Sequence, residues 1–226
     1  MENYTKLSNR LKKASYPDNH HYDVKTLEPI GVMKDRWDII EKAPEFKAGG
    51  KFLDVGSNKG FISLKLAIYY EKIVGYEPLK DLVSLSSDIA AAHKIKNIEF
   101  LEGYYEDIPD DEVYDVVYLG NCHHYIFRNC VTNGEKFYEW TEKLKKICSK
   151  YLIIDGVHSG NDFAMRGMGR DEGWPEGVLK EYSLFNLSES LESDFMLIKF
   201  IKNGIGYYNV KNNSGRHIAI YERNTP

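Results

Sequence analysis

The sequence predicts an α/β fold, in which a mostly parallel β-sheet carries helices on both faces and ends in an antiparallel pair of strands. Short apolar runs bounded by turn residues are typical of buried strands, and they lie at 51–55, 73–76, 98–101, 113–119 and 151–154. The runs 195–201 and 217–221 are separated by a Gly- and Asn-rich stretch without a convincing helical pattern. We therefore expect these two runs to pair antiparallel at a sheet edge.

Helical patterns lie between the strand-like runs. Apolar residues three or four positions apart share one face of a helix. Three such sets are Phe61, Leu64 and Ile68; Leu82, Leu85 and Ile89; and Phe137, Trp140, Leu144 and Ile147. Alternation of strand and helix is typical of a parallel sheet that is covered on both faces.

We expect one domain over residues 1–226, because a chain of 226 residues that is 42% hydrophobic can bury one sizeable core. Residues 1–48, with a helix predicted over 33–42, would form a lid or a substrate wall ahead of a core at 49–226. Within that core, the glycine-rich stretch 156–180 is predicted to be a loop insertion. A long loop of this kind is typically functional or mobile.

The net charge limits the kinds of partner that the protein can bind, and the cysteine content indicates the redox state of its cellular compartment. A net charge of −4 disfavours binding to a polyphosphate backbone, so we expect a small-molecule substrate rather than nucleic acid. The three cysteines show no CxxC spacing, which favours a reducing compartment over a disulfide framework or a zinc site. Since no signal-peptide pattern or membrane-length apolar run occurs, we expect a cytoplasmic protein without a membrane partner. The sequence does not predict an oligomeric state.

The most informative stretch joins the first strand to the first helix of the alternating pattern. Residues 51–61 read KFLDVGSNKGF, an apolar strand followed by a turn between Gly56 and Gly60. Glycine allows the backbone to turn sharply and to come close to a ligand. Glu77, at the end of the next apolar run, lies where a carboxylate would bind a ribose diol. The turn and the acid together indicate a nucleoside-binding site.

Three later segments extend this pattern: Gly75-Tyr76-Glu77-Pro78, Glu102-Gly103-Tyr104-Tyr105-Glu106-Asp107 and Tyr114-Asp115-Val116-Val117. With the turn, they resemble the class I S-adenosylmethionine-dependent methyltransferases over roughly residues 51–156. The resemblance implies a Rossmann-like sheet of seven strands, the last antiparallel, and S-adenosyl-L-methionine as the cofactor. It also implies that Glu77 binds the ribose hydroxyls and that the methionine part is wrapped by Asp54, Gly56, Ser57, Asn58 and Gly60.

Two positions depart from the family's pattern. Asn58 stands where many members have the central glycine of the loop, and asparagine tolerates the positive φ that such a loop needs. The acid that often binds the adenine amino group falls at about Tyr104. Tyr104 or Tyr105 could instead stack on adenine or pack, and Glu106 or Asp107 could supply the hydrogen bond. The segment is thus a candidate adenine contact, with these alternatives open.

An NAD-dependent oxidoreductase is the alternative explanation for a glycine turn followed by an acid. Its fingerprint has the spacing GxGxxG, whereas Asn58 and Phe61 stand where the second and third glycines would be. The backbone could then not approach a pyrophosphate as closely. The methyltransferase pattern is therefore favoured.

Catalytic candidates follow the fourth and fifth strands, since open parallel sheets bind ligands beyond the carboxyl ends of their strands. Methyl transfer to a hydroxyl needs a base, and histidine suits that role at neutral pH. His123 and His124 follow the fourth strand, and His158 follows the fifth. Asp155 could orient a histidine or bind the substrate. Asn121 is a further candidate, assigned to cofactor binding, in a segment that faintly resembles the Asn-Pro-Pro-Tyr motif of amino-methylating relatives but lacks its prolines.

These observations predict an S-adenosylmethionine-dependent methyltransferase that acts on a small molecule. O-methylation of a hydroxyl on a sugar or a phosphate-bearing metabolite is the favoured reaction, because Arg166 and Arg170 could bind an anionic group. No metal is expected, since carboxylates in turns, such as Asp162, are more often caps than ligands. An RNA or nucleotide methyltransferase, helped by 17 tyrosines, and a non-catalytic cofactor-binding scaffold are the alternatives.

Overall fold

The computed structural model describes residues 2–14, 21–132, 139–157, 184–202 and 217–224. Its strands are β1 (His21–Tyr22), β2 (Pro29–Ile30), β3 (Lys51–Val55), β4 (Lys72–Glu77), β5 (Ile98–Glu102), β6 (Tyr114–Gly120), β7 (Cys148–Val157), β8 (Phe195–Lys202) and β9 (His217–Arg223). Its helices are α1 (Glu2–Lys13), α2 (Val32–Ile40), α3 (Phe61–Leu66), α4 (Lys80–Ala92), α5 (His123–Thr132), α6 (Glu139–Ile147) and α7 (Leu184–Leu191).

Seven strands form one sheet in the order β5-β4-β3-β6-β7-β9-β8. β3 pairs with β4, and β4 with β5, in parallel, whereas β9 runs antiparallel to both β7 and β8. The predicted α/β fold, a mostly parallel Rossmann-like sheet of seven strands with an antiparallel C-terminal pair at one edge, is confirmed.

The chain divides into two compact units, residues 1–109 with 114–116, and residues 110–113 with 117–226. β3, β4 and β5 belong to the first unit, and β7, β8 and β9 belong to the second. The single domain expected from the sequence stays a prediction.

In the first unit, the parallel strands are buried along most of their length. β3 is buried from Phe52 to Val55, and β4 from Ile73 to Glu77. A continuous apolar run, rather than alternation, is expected for a strand that is covered on both faces. Two carboxylates, Asp54 and Glu77, are nevertheless buried within these runs, which marks the carboxyl ends of β3 and β4 as chemically unusual.

The N-terminal helix α1 packs on α4 within the same unit. The Tyr4 hydroxyl donates to the Ala92 carbonyl at 3.0 Å, and the Arg10 guanidinium pairs with the Asp88 carboxylate. Leu7 and Leu11 of the same helix are buried. The segment before β3 is thus a packed part of the first unit, and its role as a lid or substrate wall stays a prediction.

In the second unit, α6 buries Trp140, Leu144 and Ile147, three members of the set predicted to share one helix face. Phe137, the fourth member, lies outside the described residues. The Arg223 guanidinium of β9 donates a hydrogen bond to the backbone carbonyl of Lys145, in the last turn of α6, at 2.6 Å. Because the last carbonyls of a helix lack partners within it, this bond ties α6 to the antiparallel end of the sheet.

Two expectations are corrected. Ile68 was predicted to share a buried face with Phe61 and Leu64, but its side chain is 81% exposed. The reason is that α3 ends at Leu66 and continues as a 3-10 turn over Ala67–Tyr69, whose tighter winding turns Ile68 towards solvent. β7 also continues through Val157, two residues into the predicted loop insertion, whose remainder lies outside the described residues.

Candidate active site

The turn after β3 has the left-handed backbone that the glycines allow. Gly56 and Gly60 have φ of 72° each, and Asn58 between them has φ of 51°. Asparagine is one of the few residues with a side chain that adopts this conformation at low cost. Asn58 therefore has the left-handed conformation that a glycine would otherwise supply at this position.

Every backbone N–H group from residue 56 to residue 60 donates a hydrogen bond inside the protein. Gly56 N and Ser57 N both donate to Tyr76 O at 2.9 Å, and Gly60 N donates to Ser57 O at 2.9 Å. Asn58 N donates to the Glu77 carboxylate at 3.0 Å, and Lys59 N donates to Asn58 Oδ1 at 2.8 Å. The loop thus turns its donors inwards and offers none of them to a ligand.

Glu77, the last residue of β4, connects two strand ends. Its Oε2 accepts the hydrogen bond from Asn58 N, and its Oε1 accepts one from Leu79 N at 3.1 Å. Burial raises the pKa of this carboxyl, and the two backbone hydrogen bonds oppose the increase. Since each carboxylate oxygen has two lone pairs, one acceptor position on each oxygen is left for the two hydroxyls of a diol.

Asp54 lies deeper, inside β3. Its Oδ2 accepts a hydrogen bond from Ser63 Oγ in α3 at 2.6 Å. Burial raises the pKa of Asp54 from 3.8 to about 6, the Ser63 hydrogen bond and the positive charge of Arg36 oppose the increase, and the negative charge of Glu77 adds to it. Two buried carboxylates, one of which raises the pKa of the other, form a site that favours a cation.

Ser57 carries a hydroxyl that fits a ligand contact. Its Oγ is buried and has no hydrogen-bond partner among the described residues. Buried polar atoms are normally paired, so an unpaired hydroxyl in this loop indicates a position where a bound molecule supplies the partner. The assignment of Ser57 to the methionine part of the cofactor stays a prediction.

The two tyrosines after β5 have different surroundings. The Tyr104 side chain is 57% exposed, whereas that of Tyr105 is 5% exposed. The Asp107 carboxylate accepts a hydrogen bond from Tyr104 N at 2.7 Å and so caps the short 3-10 turn. Of this segment's candidates, Tyr104 has an accessible ring, while Tyr105 is packed and Asp107 already binds the backbone.

In the second unit, the ends of β6 and β7 approach each other closely. Asn121 has φ of 60°, and its N–H lies 3.0 Å from Leu119 O and 3.1 Å from Asp155 O. A Cβ on Gly156 would lie 2.4 Å from Asn121 Oδ1. Because Gly156 also has φ of 93°, a residue with a side chain would be strained at this position and would press on Asn121.

The structure describes the side chains of Asp155 and His123, but not those of the other two candidate histidines. Asp155 lies inside β7, and its Oδ2 accepts a hydrogen bond from the buried Tyr118 hydroxyl at 2.9 Å. Tyr118 was not among the predicted site residues, because a tyrosine in an apolar strand reads as packing. His123, the first residue of α5, is 1% exposed. His124 is the second residue of α5, but its side chain lies outside the described residues, as does all of His158.

The described residues contain neither a cluster of metal-binding side chains nor a membrane-spanning helix. No group of three or more His, Cys, Asp or Glu side chains there could hold a metal ion. In the same residues, no helix has the length and apolar character needed to cross a membrane. Arg166, Arg170 and the remaining turn carboxylates after β7 lie outside the described residues.

The sequence model of the methyltransferase domain family matches residues 46–187. Among curated proteins, the chain is 23% identical over 118 residues to the methyltransferase YcgJ of Bacillus subtilis, covering 52% of this chain and 45% of that protein. It is 24% identical over 143 residues to the ribosomal RNA small subunit methyltransferase G of Cytophaga hutchinsonii, covering 62% of this chain and 60% of that protein. The chain therefore spans about half the length of these relatives.

Solved structures share the fold over almost the whole chain. The magnesium protoporphyrin IX methyltransferase ChlM of Synechocystis PCC 6803, solved with bound SAM, has a TM-score of 0.62 at 12% identity and covers 99% of this chain and 98% of its own. The N-methyltransferase NodS of Bradyrhizobium japonicum has a TM-score of 0.61 at 9% identity, with 85% and 96% covered. At these identities the likeness concerns the fold.

Substitution of Gly60 by alanine tests the packing under the loop. A Cβ at Gly60 would lie 2.8 Å from Phe100 Cζ and 2.9 Å from Ser86 Cβ, whereas at Gly49, with φ of 80°, the nearest atom is 3.9 Å away. We expect Gly49→Ala to cost about 1 kcal/mol through the left-handed backbone alone, and Gly60→Ala to cost at least about 2 kcal/mol more through overpacking. Denaturant unfolding of both variants measures the difference, and equal losses would contradict it.

The pKa of Asp54 makes a prediction about stability and pH. A folded-state pKa of about 6 against 3.8 in the unfolded chain means that protonation stabilises the fold below about pH 4 and that this contribution is lost as the pH rises through 6. The difference corresponds to about 3 kcal/mol. Relative to Asp54→Asn, which keeps an acceptor for Ser63, the wild type should lose up to that amount between pH 4 and pH 7. Parallel curves of unfolding free energy against pH would disprove the assignment.

Proposed function

Because this chain belongs to the methyltransferase domain family, we propose that it binds S-adenosyl-L-methionine and methylates a hydroxyl oxygen of a small molecule. The observation that carries the proposal is the loop at residues 56–60, whose N–H groups all donate inwards beside two buried carboxylates. The site residues are Asp54, Gly56, Ser57, Asn58, Gly60 and Glu77 for the cofactor, with Tyr104, Tyr105 and Asn121 as further contacts and His123, His124 and His158 as catalytic candidates.

The loop favours a cationic cofactor over a dinucleotide. A dinucleotide fold binds its pyrophosphate with backbone N–H groups at a helix N-terminus, and here each N–H from Gly56 to Gly60 already has a protein acceptor. S-adenosyl-L-methionine has no phosphate and carries a sulfonium and an ammonium group. Buried carboxylates at Asp54 and Glu77 stabilise such charges. The NAD-dependent alternative therefore has no support from this geometry.

Each part of the cofactor has a chemically suitable partner. The two acceptor positions left on Glu77 suit the ribose 2′- and 3′-hydroxyls, and the unpaired Ser57 hydroxyl suits the polar end of the methionine part. The exposed ring of Tyr104 suits stacking on adenine, since base–aromatic stacking needs only an accessible face. ChlM, which was solved with bound SAM, has the same fold.

Glu77→Gln should weaken cofactor binding. The amide keeps the shape of the side chain but turns an N–H group towards either Asn58 N or Leu79 N, so that one backbone donor loses its acceptor. The ribose hydroxyls also lose the negative charge to which they would donate. We expect the Kd for S-adenosyl-L-methionine to rise at least about tenfold by calorimetry.

Glu99→Gln is the matched control for this experiment. It makes the same change of charge on the neighbouring strand β5, where Glu99 is exposed and pairs with Lys72 at 3.6 Å. Its affinity for the cofactor should equal that of the wild type. If Glu77→Gln also binds as tightly as the wild type, Glu77 does not bind the ribose.

The chain's own part in the reaction is to orient the acceptor and to accept its proton. When bound, the cofactor supplies an electrophilic methyl group. A histidine nitrogen would accept the hydroxyl proton of the acceptor as the oxygen–methyl bond forms and the sulfur–methyl bond breaks, which would leave S-adenosylhomocysteine as the product. His124 is our first candidate for this base, because His123 is buried at the start of α5.

An RNA substrate is the second candidate, favoured by the similarity to a ribosomal RNA small subunit methyltransferase. The net charge of −4 opposes it, because RNA binding relies on neutralising phosphates. A non-catalytic scaffold would bind the cofactor without turnover. The three possibilities differ in which acceptor, if any, supports release of S-adenosylhomocysteine.

An acceptor screen with a His124→Gln variant separates these possibilities. We expect release of S-adenosylhomocysteine with hydroxylated small molecules and none with small-subunit ribosomal RNA. On the best acceptor, His124→Gln should lower kcat by a factor of about 100 or more, the usual contribution of a general base, with an unchanged cofactor Kd. Turnover on RNA alone would establish the second candidate, and undiminished kcat in the variant would exclude His124 as the base.

A further inference from the structure

A tyrosine in the N-terminal segment, which precedes the residues matched by the family model, contacts the loop at residues 56–60. Tyr22, in β1, is buried, and its hydroxyl donates to Lys59 O at 2.7 Å. Lys59 lies between Asn58 and Gly60, two of the loop's three positions with positive φ. The family model begins at residue 46, so this contact is made by a part of the chain that the family does not describe.

We propose that Tyr22 is a positioning residue for cofactor binding, and that it holds the left-handed segment Asn58–Gly60 in the conformation that leaves Glu77 available to the ligand. The inference rests on the proposed function. The cost of the left-handed conformation is lower for asparagine than for most residues, but it is not zero, and such a turn persists where the surroundings hold it. The acceptors for the loop's N–H groups lie in β4 and in the loop itself. The donor to the Lys59 carbonyl, in contrast, lies in the N-terminal segment.

The ring of Tyr22 also packs against α3, the helix that begins directly after the loop. Its centroid lies 5.2 Å from that of Phe61, the first residue of α3, and the Trp37 ring of α2 lies 5.8 Å from Phe61 at an interplanar angle of 84°. Aromatic pairs at such distances add to the stability of a buried contact. The hydroxyl and the ring of Tyr22 therefore act on adjacent points, the end of the loop and the start of α3.

Tyr22 is itself held in a fixed position. β1 pairs with β2, with Tyr22 opposite Pro29, and the turn between them is closed by Asp23, whose Oδ1 accepts the N–H groups of Lys25 and Thr26 at 2.9 Å each. The Val24 carbonyl beyond it lies 2.7 Å from His93 Nε2 at the end of α4. Because these contacts hold the backbone on both sides of Tyr22, its hydroxyl can determine the position of the Lys59 carbonyl.

The same segment influences the site electrostatically. Arg36 of α2 is almost fully buried, and its positive charge lowers the pKa of Asp54 against the effect of burial. The N-terminal segment thus reaches the site at two points, through the Lys59 carbonyl and through the charge near Asp54.

Comparison of Tyr22→Phe with Tyr70→Phe tests the proposal. Tyr70 is a matched control, since it is also buried in the first unit and donates to a backbone carbonyl, Phe46 O, at 2.9 Å. Phe46 precedes β3, whereas the loop follows it. Both variants lose a buried hydroxyl that donates to a backbone carbonyl, and Tyr70→Phe also loses a hydrogen bond with the Ala48 backbone. In denaturant unfolding without ligand, Tyr70→Phe should therefore be destabilised at least as much as Tyr22→Phe.

We expect Tyr22→Phe alone to raise the Kd for S-adenosylhomocysteine and S-adenosyl-L-methionine by five- to tenfold, about 1 kcal/mol or slightly more. Amide hydrogen exchange over residues 56–60 should become faster in Tyr22→Phe and stay unchanged in Tyr70→Phe. With an acceptor in hand, the KM for the cofactor should rise while kcat stays the same.

Two results would overturn the inference while leaving the proposed function intact. One is a wild type that binds both compounds and a Tyr22→Phe variant that binds them with the same Kd. The other is an equal loss of affinity in Tyr22→Phe and Tyr70→Phe, which would show general destabilisation. A wild type that binds neither compound would instead refute the proposed function, and the inference with it.

Discussion

The buried carboxylate of Glu77 is the constraint on which the site in the first unit depends. Burial of an ionised group is costly unless hydrogen bonds compensate for its lost hydration, and here the compensation comes from Asn58 N and Leu79 N. These bonds join the end of β4 to the left-handed turn after β3. One group therefore shapes the loop and, through its remaining lone pairs, is open to a ligand.

The electrostatic design follows from the same constraint. Asp54 and Glu77 are both buried, and the charge of Glu77 contributes to the raised pKa of Asp54. Such a pair weakens the fold while nothing offsets its charge, and a bound cation relieves that repulsion. Natural proteins commonly give up stability at functional sites in this way. Arg36 supplies part of the offset from within the chain, so that the site stays folded before it binds.

The parts that could be predicted are those encoded locally. β3 has the predicted bounds 51–55, because a continuous apolar run ending in glycine has few alternatives. The position of Glu77 followed from spacing along one strand-helix-strand unit. Tyr22 and Ser63 could not be found in this way, because their partners lie 37 and 9 residues away and are selected by packing. The exposure of Ile68 was not predicted, because the spacing of apolar residues does not show where an α-helix changes to a 3-10 turn.

The close approach of Phe100 to two glycines restricts how this region can vary. A Cβ at Gly75 would lie 2.7 Å from Phe100 Cδ1, and one at Gly60 would lie 2.8 Å from its Cζ. The three positions therefore share one fixed volume, in which a larger residue at either glycine requires a smaller one at position 100. Homologues with alanine at position 75 should accordingly carry an aliphatic residue in place of this phenylalanine. Alanine at position 60 would in addition require α4 to shift, because Ser86 Cβ lies 2.9 Å from the same point.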